Sequence, residues 1–411
     1  MRPFSLLVKP ASADCNLRCR YCFYLGKQFL YPETARHRMS PDVLERMIHS
    51  YMATVQPQYA FGWQGGEPTL MGLDFFRQIT ELQQRHAPRG ATIANGLQTN
   101  ATLIDDALAE HLARFQFLVG VSLDGPPELH DGNRITIDGR GTHADVMRGI
   151  AHLREHRVEF NILTLVNQAN VRQAPAIYRY LVDQGFRFHQ YIECVEYDAA
   201  GQLQPYAING PEWGDFLCAL FDAWYAEDAR RVSIRLFDSI LAMRVDGVAN
   251  TCHMATDCCQ YLVVEHNGDV YPCDFFVTPD LKLGNVMTDT WEAMLESPVY
   301  GSFGARKRQW NERCDACEYA RYCAGDCPKN RPLHGHDPRG LSPLCEGWKR
   351  FYAHTNERFD ELARQIRSER AHRDQLWKGP SPTHGSPPSR NADCPCGSGR
   401  KYKRCCGKAT P

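Results

Sequence analysis

The chain lacks any apolar stretch long enough to span a bilayer, and Met1 to Pro10 hold no apolar core of signal-peptide length. Neither membrane residence nor an oxidising compartment is therefore expected, and the simplest location is cytoplasmic with reduced thiols. A surplus of one charge is missing too. The formal net charge of −1 excludes a global attraction to nucleic acid or anionic lipid, which leaves partners to local sites. The 16 histidines are scattered, and none forms a metal set with carboxylates. At 411 residues and 43% hydrophobic, the chain can bury one large domain and smaller ones.

Cysteine, by contrast, is plentiful, and 15 of the 18 fall into spaced sets that read as metal-ligand groups. The most specific is Cys15, Cys19 and Cys22 in a C-x3-C-x2-C run. Three thiolates there can hold three irons of a cubane cluster and leave the fourth open to a small molecule, whereas an electron-transfer cluster is closed by four cysteines. A zinc knot or part of a disulfide framework is the competing reading, and the second of these needs an oxidising compartment.

Up to about residue 230, short apolar or β-branched runs alternate with helical patterns. Strands are expected at Phe4–Lys9, Tyr59–Gln64, Thr92–Thr99, Phe117–Leu123, Glu159–Val166 and Phe188–Glu193. Helices are expected at Pro41–Ala53, Asp74–His86, Asp105–Ala113, His143–His156 and Ala174–Gln184, with Ser40-Pro41 reading as a capped start. This is the order of β/α units, so an α/β fold with a parallel sheet follows, either open or closed into a barrel. Ligands gather at the carboxyl ends of such strands. Cys15, Gly65-Gly66-Glu67-Pro68, Gln98-Thr99-Asn100 and Ser122-Leu123-Asp124-Gly125 all lie there.

The cysteine triplet with Tyr21 before its last member, followed by Gly-Gly-Glu-Pro after the next strand, resembles the radical S-adenosylmethionine (SAM) superfamily. Glycines at 65 and 66 would let the backbone approach a ligand, and Glu67 would offer an acceptor or order that turn. The resemblance implies a partial (β/α)6 barrel. It also implies a cluster whose open iron chelates SAM, cleavage to a 5'-deoxyadenosyl radical, and hydrogen abstraction from substrate. Cys15, Cys19 and Cys22 would hold that cluster, and Tyr21, Gly66, Ser122, Arg134 and Val195 would line the cofactor pocket. Val195 stands where leucine is expected, still an apolar contact for adenine. Arg134 could fork onto the cofactor carboxylate; a solvated loop arginine is its competing reading.

Nine more cysteines lie between Cys252 and Cys345. Two fully ligated cubanes would need eight, and two zinc sites fit the same arithmetic. Cys314-x2-Cys317-x5-Cys323-x3-Cys327 with a distant Cys345 resembles the SPASM extension, which carries auxiliary 4Fe-4S clusters. On that pattern, set I is Cys252, Cys258, Cys273 and Cys327, and set II is Cys314, Cys317, Cys323 and Cys345, giving three clusters in all. Residues 261 to 271 alternate around Asn267-Gly268, a β-hairpin signal that delivers Cys273-Asp274.

A Cys-Asp pair at this place, with the motifs above, is similar to the anaerobic sulfatase-maturating enzymes over roughly residues 3 to 370. The resemblance implies radical oxidation of a cysteine or serine in a target sulfatase to Cα-formylglycine, with Asp274 as the base. Tyr24 and Gln64 are candidate substrate contacts, core packing being the competing reading for Tyr24. Implied partners are an unfolded or nascent sulfatase polypeptide and an electron donor such as flavodoxin or ferredoxin. Two alternatives stand beside this: another SPASM-type peptide modifier forming a thioether or crosslink, and a non-catalytic iron-sulfur or zinc interaction protein.

The expected divisions are a barrel domain at 1–235, a SPASM domain at 236–370, a flexible Pro/Ser/Gly-rich linker at 371–391 and a small motif at 392–411. In that last segment Cys394, Cys396, Cys405 and Cys406 resemble the SEC-C motif, whose four thiolates would close a zinc site. Its excess of basic residues favours an acidic protein surface or ribosomal RNA, hence a possible ribosome or export-machinery contact; a solvated basic tail is the alternative. Cys194 and Cys218 read as small apolar fillers, and Cys259 is left unassigned.

Overall fold

The computed structural model describes residues 2–27, 29–198, 200–332, 338–377, 391–394 and 399–405. In chain order the elements are β1 (Leu6–Lys9), α1 (Pro41–Met52), β2 (Tyr59–Trp63), α2 (Gly72–His86), β3 (Ile93–Thr99), α3 (Asp106–Arg114), β4 (Leu118–Ser122), the short α4 (Pro127–His130), α5 (His143–Glu155), β5 (Phe160–Val166), α6 (Ala174–Asp183), β6 (Phe188–Glu193) and α7 (Gly210–Glu227). Then follow β7 (Ser233–Ile234), α8 (Arg235–Asp246), β8 (Leu262–Glu265), β9 (Asp269–Tyr271), β10 (Gly284–Asn285), α9 (Trp291–Leu295), α10 (Pro298–Ala305), α11 (Ala320–Cys323) and α12 (Cys345–Trp377). The expected helix starts hold: Pro41 opens α1 behind Ser40, whose side chain accepts from Val43 N, and Asp105 caps α3 through Leu108 N.

One sheet of ten strands runs β10-β9-β8-β1-β2-β3-β4-β5-β6-β7, with β1 through β7 all parallel to their neighbours. This is an open, parallel α/β architecture, as the resemblance to the radical SAM superfamily implied. Its two faces differ. Tyr59, Phe61 and Trp63 of β2 are buried, as are Leu97 of β3 and Ile162 and Val166 of β5; the alternate positions Ala60, Gly62, Ala94, Gly96, Gln98 and Asn161 are only partly buried. These small or polar residues fall in register across neighbouring strands, as in Ala60 with Ala94, Gly62 with Gly96 and Gln98 with Gly120. The large side chains therefore form the core against the helices, while the other face lines a hollow. An added Cβ on Gly120 would lie 2.1 Å from Gln98 Oε1, so this glycine makes room for the Gln98 side chain that donates to Ser122 Oγ at 3.2 Å.

The Asn267-Gly268 hairpin forms as expected, β8 against β9, with Gly268 at φ 87°. Its wider connection was not legible: β8 also pairs in parallel with β1, from Leu6 with Leu262 to Lys9 with Glu265. The cysteine-rich segment thus extends the barrel sheet itself. Helix α12 packs on α7 and α8 and continues to Trp377, past the expected start of the linker at residue 371. The Pro/Ser/Gly-rich stretch from Gly379 to Ser389 lies outside the described residues. Among the described residues, no helix is long and apolar enough to cross a membrane.

Candidate active site and its cysteine sets

The loop after β1 carries Cys15, Cys19 and Cys22 and is pinned from two directions. Arg18 N and Arg20 N donate to Ile135 O at 2.8 Å and Asn133 O at 3.0 Å, while Asn100 Nδ2 reaches Cys15 Sγ at 3.7 Å. All three cysteines pack into one cluster with Leu17, Tyr21 and Cys194. Burial pushes the Cys19 thiol up to about 11 and raises Cys15 and Cys22 as well. Thiols so buried are not reactive thiolates on their own.

The Gly-Gly-Glu turn serves that loop. Gly66 N donates to Ser12 O at 2.7 Å and Glu67 N to Asp14 O at 2.8 Å. A Cβ on Gly66 would lie 1.9 Å from Asp14 O, and one on Gly65, at φ 125°, would lie 2.7 Å from Ser12 O. The close backbone approach expected toward a ligand is thus, in this structure, an approach to the chain's own cysteine loop. Glu67 is fully buried; its carboxylate accepts from Thr69 N and Oγ1, Thr99 Oγ1 and Asn100 N between 2.6 and 3.0 Å, so it orders the turn.

The other expected cofactor residues lie around the same loop. Ser122 ends β4 and faces the hollow. Arg134, 7% exposed, turns Nη2 and Nε onto the two oxygens of fully buried Asp124 at 3.2 and 3.1 Å, and Tyr21 OH donates to that same carboxylate. The guanidinium fork is therefore spent, in part, on an internal carboxylate that the sequence reading did not single out. Val195 has no exposed surface, and its carbonyl accepts from Lys329 Nζ.

Asp274 follows β9 and is 3% exposed. Tyr24 OH and Gln64 Nε2 both donate to its Oδ2, the latter at 3.2 Å, and Lys9 Nζ stands 3.4 Å from Oδ1. Lys9 in turn donates to Glu265 at 2.6 Å. Burial alone would lower the Lys9 ammonium, yet Glu265 and Asp274 hold it above its ordinary value; burial alone would raise Glu265, yet Lys9 brings it down to about 2. Asp274, Tyr24 and Gln64 thus form one constellation. Lys9 and Glu265 were missed in the sequence, although each is a charged residue closing an apolar strand on the same rim.

The auxiliary cysteines fall into two groups. All four of set II line one small cavity. In set I, Cys273 and Cys252 each add to the effect of burial on the thiols of Cys258 and Cys327, which places the four within reach of one another's charge. Cys259 turns away: its thiol donates to Tyr300 O at 3.2 Å and it contacts Arg2. Cys258 is therefore the member of the adjacent pair that faces set I.

Near the C-terminus, a bridge between Asp393 and Lys401 and a bond from Cys394 N to Arg400 O at 2.8 Å fold the arm bearing Cys394 back toward Cys405. Cys396 and Cys406 lie outside the described residues.

Three family models match: the radical SAM superfamily over residues 10–181, an iron-sulfur cluster-binding domain, SPASM, over 250–318, and the SEC-C motif over 390–408. The serine-type anaerobic sulfatase-maturating enzyme of Bacteroides thetaiotaomicron is 36% identical, across 90% of this chain and 94% of that one. The chain belongs to the anaerobic sulfatase-maturating enzymes. The cysteine-type enzyme of Clostridium perfringens is also 36% identical, across 89% of this chain and all of its own length. The solved structure of native anSMEcpe with bound AdoMet and Cp18Cys peptide superposes with a TM-score of 0.82, covering 89% of this chain and 100% of that one. Streptococcus suis SuiB bound to S-adenosylmethionine, at 16% identity and a TM-score of 0.60, shares the fold. This family's members are radical SAM enzymes with iron-sulfur chemistry.

Proposed function

We propose that this chain oxidises a cysteine or serine side chain of an unfolded or nascent sulfatase polypeptide to Cα-formylglycine, with SAM as co-substrate. The observation that carries the proposal is the buried Asp274 constellation, set beside cysteine set I on the rim that bears the Cys15–Cys22 loop. Cys15, Cys19 and Cys22 would hold one 4Fe-4S cluster and sets I and II one each. Tyr21, Gly65, Gly66, Glu67, Ser122, Arg134 and Val195 are assigned to the cofactor side, some by contact and Gly65, Gly66 and Glu67 by shaping the loop. When bound, these groups supply a carbon radical able to take hydrogen from Cβ and a sink for the electron left behind. Asp274 accepts the proton of the substrate thiol or hydroxyl, a role suited to a carboxylate within hydrogen-bond reach. Tyr24 and Gln64 fix the carboxylate's orientation and the approach of the substrate atom, and Lys9 offsets its charge in a site closed to water.

The electron donor would be a flavodoxin or ferredoxin. The four C-terminal cysteines would hold a zinc ion, and the basic tail would recruit the enzyme to ribosome-bound or export-bound chains. Deleting residues 380–411 should then impair maturation in cells more than turnover of a short peptide, and equal losses would count against recruitment.

The deciding experiment is anaerobic incubation with a short peptide bearing a sulfatase-type Cys-x-Pro-x-Arg segment, read by mass. Loss of sulfur with gain of a carbonyl is expected, and Asp274→Asn should abolish it while SAM is still cleaved. A sulfur-retaining thioether product would instead place the chain with the other SPASM-type peptide modifiers.

A further inference from the structure

In the run Arg306-Lys307-Arg308, the middle side chain is turned inward and has no exposed surface. Lys307 Nζ donates to Asp326 O at 2.6 Å and to His253 O at 3.1 Å. Among the described residues, no carboxylate comes within ion-pair distance of it. His253 follows Cys252 and Asp326 precedes Cys327, so the ammonium ties together the backbones next to two cysteines of set I. Its charge acts on Cys252, Cys258 and Cys327 of that set, and also on Cys323 of set II.

The ammonium bonds only to carbonyls; the buried Asp326 carboxylate also feels its charge but is itself engaged by His253 and Ser342 Oγ, and a buried cation is costly unless negative groups face it. Arg331, 1% exposed, lies in the same layer, knots carbonyls of several loops and also reaches the Cys258 and Cys327 thiols with its charge. Lys307 is the cation bonded beside both Cys252 and Cys327. A cluster held by four thiolates is net negative and gains another negative charge on reduction, so a cation fixed nearby at low dielectric favours the reduced form.

We propose that Lys307 is a positioning residue whose charge raises the reduction potential of the cluster in set I above the value the same cysteines would give alone, making it the acceptor for the electron left on the substrate. This rests on the assignment of set I made above.

The test is redox titration of the reconstituted full-length protein, followed by electron paramagnetic resonance, with iron counted per chain. The set I signal is the one removed or altered by Cys273→Ala. In Lys307→Met that signal should titrate at a lower potential while the N-terminal cluster is unmoved, and Lys307→Arg should stay near wild type. An unshifted set I potential in Lys307→Met overturns the proposal. If Lys307→Met does not retain iron at set I, Lys307→Gln and Lys307→Arg decide. A lowered potential in the glutamine variant, or retention by arginine alone, supports the role of charge. An unshifted potential in the glutamine variant, or loss in all three, assigns shape instead and overturns it. Iron and spectra unaffected by Cys273→Ala would sink the set I assignment itself, a failure recognisable in the otherwise unmodified protein.

Discussion

Gly66→Ala isolates what the Gly-Gly turn does. One added Cβ would stand 1.9 Å from Asp14 O and 2.5 Å from Asp14 C, both backbone atoms, so no side-chain rotation can relieve the clash. The segment from Ser12 to Asp14 must withdraw by roughly 1 Å, a misplacement large enough to cost on the order of 100-fold in rate at a catalytic centre. The two backbone bonds across the turn, Gly66 N to Ser12 O at 2.7 Å and Glu67 N to Asp14 O at 2.8 Å, go with it. Their loss and the overpacking together amount to about 2–4 kcal/mol, less than the stability of an ordinary domain. The variant should fold, but Cys15, next to Asp14, should be displaced. After anaerobic reconstitution it should lose the iron of the N-terminal cluster and its SAM binding while keeping the iron of sets I and II. Gly301→Ala in α10, where nothing lies within 4 Å of the new methyl, serves as the control and should be neutral or slightly stabilising. Wild-type iron content and SAM affinity in Gly66→Ala would refute the reasoning.

Three other outcomes follow from the same geometry. Lys9→Met leaves Glu265 and Asp274 buried without their cation and should lower stability by about 3–5 kcal/mol in denaturant unfolding; adding Glu265→Gln should recover part of that loss. Cys258→Ser should remove the iron of set I, whereas Cys259→Ser, facing Tyr300 and Arg2, should leave the iron count unchanged. Burial holds His189 at about 4, below its ordinary 6.5. The unfolded chain therefore takes up this proton at a higher pH than the folded one, and stability must fall as pH drops from 6.5 toward 4, by about 1.4 kcal/mol per pH unit for this site. His189→Gln should flatten that slope between pH 6.5 and 5, and an unchanged slope would place the sensitivity elsewhere.

The barrel was legible because each strand is a short run closed by turn residues and each longer helix has its own apolar stripe, so local pattern sufficed for β1 to β6 and for α1, α2, α3, α5 and α6, while the short α4 was missed. The two auxiliary cysteine sets were drawn from the resemblance to the SPASM pattern, since the count alone fits two zinc sites as well. Three features were hidden. Parallel pairing of β8 with β1 joins residues more than 250 positions apart, and nothing in a strand's own sequence names its neighbour. The commitment of Arg134 to Asp124 depends on a turn that brings a strand end against a loop. The burial of Lys307 between two arginines is set by the fold and not by its local sequence.

The pairing of β8 with β1 is also what makes the site one site. β1 runs directly into the loop bearing Cys15, Cys19 and Cys22, and its last residue, Lys9, is the register partner of Glu265, the last residue of β8. Both side chains therefore meet on one side of the sheet, while β9 returns antiparallel and releases Cys273 and Asp274 beside Tyr24. The Cys15–Cys22 loop and Asp274 are thus set by the register of a single strand pair. Because side chains alternate with a period of two, a slip of one residue would turn Glu265 to the opposite face and leave Lys9 buried without its closest partner. That alternative is disfavoured by the same few kcal/mol that Lys9→Met would remove. The ion pair therefore acts as a register lock, holding Asp274 at a fixed depth relative to the Cys15–Cys22 loop.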